Sequence, residues 1–201
     1  MRIRSCLLAV VLLLLSPPVR AGDLTPHRGG FILAGEAVAF DADLRPLFTA
    51  RQVSSTAKPT RVGFDRWART EEGKSIIRRI RDDRTVIIEE DSEQSALGRA
   101  PQPAFTVLLA AQDPKIRKRY TIILNPMIAA QYENELAVDL GRPRSATDAM
   151  ALAWAAEMLH IDFYAQGIAL PHHERADFQE RWLSIASELG FRITPHGGEE
   201  R

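Results

Sequence analysis

The sequence of 201 residues predicts an α+β fold, with a small β-sheet, a long buried helix and a C-terminal amphipathic helix. Three observations carry that expectation. Short β-branched or apolar runs stand at 84–90, 105–111 and 120–124, a long apolar stretch with capping signals at both ends follows them, and apolar residues at helical spacing close the chain. A hydrophobic content of 45% suits a globular protein and excludes disordered and fibrous classes.

The chain opens with a basic Met1–Arg4, an unbroken apolar run from Cys6 to Leu15, and small side chains at Val19 and Ala21. That is the pattern of a secretory signal peptide over residues 1–21, and it predicts an exported protein, periplasmic or secreted. Pro17 and Pro18 stop the apolar run at roughly half of the ~20 residues a membrane span needs, so no stable anchor is expected after cleavage. Removing the leader removes three arginines (Arg2, Arg4, Arg20) and no acid, which leaves 23 bases against 26 acids, net −3. With no positive field over the whole molecule, nucleic acid and other long polyanions are not expected partners. Cys6 is the only cysteine and lies in the leader, so thiol nucleophiles, thiolate metal sites and disulfides are excluded from the exported chain.

Residues 22–60 are weakly patterned. Phe31-Ile32-Leu33-Ala34 and Ala37-Val38-Ala39-Phe40 flank Gly35 and fit strands or a short helix equally. Between Asp65 and Arg81, Trp67, Ile76, Ile77 and Ile80 recur near helical spacing, and Gly73 suggests two short helices rather than one. Arg84–Glu90 reads as a strand and 91–103 as a polar loop. Phe105–Ala111 and Tyr120–Leu124 form a hairpin by the same reasoning, with the basic run Lys115–Arg119 at its solvated tip and Asn125-Pro126 ending the second strand. Ser145-Ala146-Thr147-Asp148 is an N-terminal capping signal and Gly167 a C-terminal one, predicting a helix of about six turns between them. Phe178, Trp182, Ile185 and Leu189 then mark the amphipathic helix, and Trp154 and Trp182 are expected in the core.

Functional signals concentrate at the C-terminal end. Four of the five histidines (His160, His172, His173, His196) fall in the last 42 residues. Glu157 and His160, three apart on a helix, share a face with Tyr164 one turn further on. The segment Ala153–His160 resembles the His-Glu-x-x-His helix of the zincin metallopeptidases, with Ala156 where that motif has its first histidine. The order of a strand ending Leu124-Asn125-Pro126, the motif helix, Gly167, His172-His173 and Phe178 is similar to that of SprT-like and NleD-like zincins, over roughly residues 65–190. The resemblance implies a zincin-like domain over 61–193, between the segment 22–60 and a flexible tail at 194–201. It implies zinc as cofactor, Glu157 as general base, His160 as a metal ligand and His173 or His172 as the downstream ligand. It further implies peptide hydrolysis, with the substrate paired to the edge of the Tyr120–Leu124 strand. Asn125, directly after that strand, and Tyr164, on the face of Glu157 and His160, are the candidate substrate-binding residues.

Ala156 removes one of three expected protein ligands. The site could be rebuilt from His160 and one or both of His172 and His173, with Glu157, Asp162 or Asp177 as oxygen donor. Alternatively the chain is an inactive pseudo-peptidase whose cleft holds a peptide or protein partner uncut. In the plainest reading Glu157 and His160 are a hydrogen-bonded pair beside an apolar surface. No Gly-x-Ser-x-Gly elbow or phosphate loop is present, so serine hydrolysis and nucleotide binding lack support.

Overall fold

The computed structural model describes residues 29–90, 104–108, 118–126, 145–168 and 172–191. The expected leader, the polar loop 91–103, the hairpin tip with Lys115–Arg117 and the C-terminal tail lie outside the described residues. In chain order the elements are β1 (Gly30–Leu33), β2 (Glu36–Ala37), β3 (Ala39–Phe40), β4 (Pro46–Leu47), α1 (Ala50–Ser55), α2 (Lys58–Ala68), α3 (Glu71–Ile80), β5 (Thr85–Glu90), β6 (Ala104–Leu108), β7 (Arg119–Leu124), α4 (Ala146–Ala165) and α5 (Ala176–Glu188). A 3-10 turn at His172–Glu174 joins the last two helices.

Five strands form one sheet in the order β2-β1-β5-β7-β6, and β3 with β4 forms a separate two-stranded ribbon. The fold is mixed α+β. β1, β5 and β7 run parallel, while β2 and β6 pair antiparallel at the two edges. Register places Phe31 beside Val86 and Val86 beside Tyr120, then Leu33 beside Ile88 and Ile88 beside Ile122. Because side chains alternate along a strand, these residues share one face, and all of them are buried there. The weakly patterned segment before position 60 is thus part of this layer, since β1 sits between β2 and β5.

The helical layer is organised by a close crossing of α2 and α4. Phe64 stacks on Trp154 with ring centroids 4.5 Å apart, and Trp67 lies 6.3 Å from Trp154, all three rings fully buried. The Trp154 indole N–H donates to the Thr60 carbonyl at 3.1 Å. A Cβ on Gly63 would come within 3.0 Å of the Ala151 backbone nitrogen, so glycine is what lets the helices approach. α2 has no capping side chain of its own. Glu90, at the end of β5, accepts from the Ala57 N–H at 2.9 Å and from the Thr60 hydroxyl, which ties the helix start to the sheet.

The stretch 65–81 is divided between two helices, as the sequence suggests, but the break falls at Arg69–Thr70, and Gly73 lies in the first turn of α3. Thr70 caps α3 by accepting from the Gly73 N–H at 2.9 Å, while its hydroxyl donates to the Trp67 carbonyl at 2.8 Å. This fold-back leaves no room at residue 73, where a Cβ would lie 2.2 Å from the Trp67 oxygen. Gly73→Ala should therefore lower unfolding free energy by about 1–3 kcal/mol despite alanine's better helix propensity, as read by urea denaturation. A neutral or stabilising result would show that the turn relaxes freely.

Candidate functional site

The expected motif helix is α4, twenty residues long. Ser145 accepts from the Asp148 N–H at 3.1 Å, and Asp148 accepts in return from the Ser145 N–H at 3.0 Å, a reciprocal cap. At the other end Gly167 takes φ +78°, and the Ile168 N–H reaches back to the Phe163 carbonyl at 3.0 Å. This left-handed cap turns the chain so that the 3-10 turn carries His172 back against the helix.

His160 and His172 meet there. Their Nδ1 atoms are 2.9 Å apart, and His172 Nε2 is 2.9 Å from the Ile168 carbonyl oxygen. A carbonyl only accepts, so a neutral His172 carries its hydrogen on Nε2 and offers the Nδ1 lone pair to the Nδ1–H of His160. The His160 lone pair is then on Nε2. Aromatic rings surround the pair: Tyr164 lies 4.6 Å from the His172 ring edge-on, Phe163 5.3 Å from it, and Phe178 4.9 Å from His160. His172 is fully buried, and His160 and Glu157 are 9% and 8% exposed. Burial pushes the Tyr164 phenol above its ordinary value, and the Glu157 carboxylate adds to that rise.

Sequence reasoning thus places Glu157, His160, His172 and Tyr164 in one neighbourhood. His173 follows in the same turn, and its side chain lies outside the described residues. Asn125 is buried directly after β7. Two expectations need correction. The Tyr120–Leu124 strand is not an edge, because β7 pairs with β5 on one side and β6 on the other, and β6 takes the edge position. Nor is either Asp162 or Asp177 spare as an oxygen donor. Asp162 accepts from Arg79 at 2.9 Å, Arg181 at 2.6 Å and Gln166 at 2.9 Å. Asp177 accepts from Arg175 at 2.8 Å at the surface, and that hydrogen bond holds its carboxyl below the ordinary range.

The donor set can be tested against zinc. Two nitrogens on a tetrahedral ion stand roughly 3.3 Å apart, given Zn–N bonds of about 2.0–2.1 Å. The observed 2.9 Å is a hydrogen-bond distance, and among the described residues no three His, Cys, Asp or Glu side chains group for a metal. His160 and His172 thus stand at hydrogen-bond spacing, and the third expected imidazole, on His173, lies outside the described residues. Comparison with family models, with curated proteins and with solved structures finds no match to the chain.

The residues that sequence reasoning missed are the arginines on Asp162. Arg79 and Arg181 come from α3 and α5, and Glu72 also accepts from Arg181. Partners 83 and 19 positions away share no local pattern with Asp162. Asp162→Ala should remove the buried acceptor shared by Arg79 and Arg181, both of which keep Glu72 as a partner, and cost about 1–3 kcal/mol, as measured by chemical denaturation. The two tyrosines with raised pKa, Tyr120 and Tyr164, define a pH dependence. Their neutral forms are favoured in the folded state, so that contribution is complete below the unfolded value near 10 and is lost as pH rises through the folded values. Unfolding free energy should fall above about pH 10, and less steeply in Tyr164→Phe, with phenolate absorbance followed in parallel.

Proposed function

We propose that the chain is an exported, zincin-like binding module that holds a peptide or protein partner without cleaving it. One observation carries the reading: His160 and His172 are joined through Nδ1, with His172 locked by the Ile168 carbonyl, so the imidazoles are committed to each other. Such a pair tightens the bend between α4 and α5 instead of presenting two lone pairs to one ion. A zincin-like sheet then keeps its capacity to pair with an extended chain. β6 is the strand placed for it, since among the described residues it pairs with β7 alone. Export rests on the N-terminal leader pattern.

A second reading has an observation of its own. The Ile168 carbonyl orients His172 as outer-shell acceptors orient metal-bound imidazoles. On that reading zinc would be held by His160, His172 and His173, and would supply water activation, with Glu157 as the base. Metal analysis of the purified mature protein separates the two. The binding module predicts substoichiometric zinc, a melting temperature indifferent to chelator, and a loss of only about 1–3 kcal/mol in His172→Ala through the lost Nδ1 contact with His160. It also predicts that extended peptides selected against the protein lose binding when their backbone is N-methylated. One equivalent of zinc, released in His160→Ala together with peptide hydrolysis, would overturn it.

A further inference from the structure

A cleft of about 400 Å³ opens among the β3–β4 turn, the end of α2 and the face of α3, lined by Ala42, Asp43, Arg45, Arg69, Lys74 and Arg78. Four of these six residues are cationic and one is acidic, on a chain whose totals balance at 26 and 26. Two of the cations are already neutralised from their own helices. Arg69 pairs with Asp65 at 2.6 Å and Lys74 with Glu71 at 2.6 Å. Arg45 and Arg78 are in no ion pair with the described residues, and both are exposed.

The backbone that carries these groups is well anchored on both walls. Lys74 and Arg78 are four apart on α3 and so share a face. The opposite wall is a tight turn in which the Asp41 carboxylate accepts from the N–H groups of Asp43 at 2.9 Å and Arg45 at 2.8 Å. Leu44, left-handed at φ +62° and buried, pins that turn to the core. We propose that this cleft binds a compact ligand carrying two or more adjacent phosphate-type groups, held between the guanidiniums of Arg45 and Arg78 with Lys74 beside them. Each guanidinium offers a planar fork to two oxyanion oxygens, and two unpaired forks call for more than one anionic group. The volume suits a small molecule, and the balanced total charge disfavours a long polyanion. The cleft and the histidine bend draw on different residues, so the inference stands apart from the proposed function.

Calorimetric titration of the full mature protein with pyrophosphate, and with inorganic phosphate as the single-group control, tests it. The expected result is saturable pyrophosphate binding at least about 10-fold tighter than phosphate, weakened about 10-fold or more in Arg45→Ala and in Arg78→Ala. Arg51→Ala, an exposed arginine that pairs with Glu36, should bind as the parent does. Both cleft arginines are exposed, so unchanged melting curves are expected and would confirm intact variants. Phosphatidic-acid vesicles distinguish a lipid headgroup from a free ligand. Vesicle binding displaced by pyrophosphate would support the cleft with a headgroup as its source, and vesicle binding that persists under saturating pyrophosphate would overturn it. So would no saturable pyrophosphate binding, or equal weakening in Arg51→Ala.

Discussion

A helix apolar on every side has to be enclosed on every side, and α4 imposes that requirement on the rest of the chain. Fourteen of its twenty residues are buried, and its apolar positions are spread round the axis rather than gathered in a stripe. Such a helix has no solvent face, so it acts as the centre of the fold rather than a cover for the sheet. α2, α3, α5 and β6 all pack on it. The glycine at 63, set against the backbone at Met150 and Ala151, lets α2 approach closely, and the stacked rings of Phe64, Trp67 and Trp154 fill the crossing.

Enclosure has a consequence for the few polar side chains on that helix. Each must find a partner or carry a desolvation penalty. Asp162 meets arginines from α3 and α5 and thereby clamps three helices together. His160 meets His172, delivered by the reversal at Gly167. Buried ionic and imidazole contacts of this kind offset a desolvation cost, so they add little net stability while restricting how the helices they join can be placed. The same reasoning links the candidate site to the fold: the histidine pair is also what holds the bend between α4 and α5.

Much of the secondary structure was legible in the sequence because its signals are local. The reciprocal Ser145–Asp148 cap, the left-handed Gly167, the division of 65–81 into two helices, and the strands at 85–90 and 119–124 each depend on residues within a few positions. The hairpin of β6 and β7 was also readable, since two extended runs close in sequence pair most economically with each other. The N-terminal strands were not. β1 is four residues long, and its pairing with β5 lies more than fifty positions away, so nothing nearby distinguishes it from a short helix.

In the candidate site, composition and spacing alone determined that Glu157, His160 and Tyr164 share a helical face and that imidazoles cluster at the next bend, because helical periodicity fixes neighbours three and four residues apart. The tertiary structure decided what those groups do to one another. It joined His160 to His172 through Nδ1, took Asp162 away to two arginines, enclosed β7 between two strands, and left Arg45 and Arg78 facing one cleft. Each of those outcomes depends on which nonlocal segments are brought within hydrogen-bond reach. That is settled by how the chain covers its central helix, and no sequence spacing encodes it.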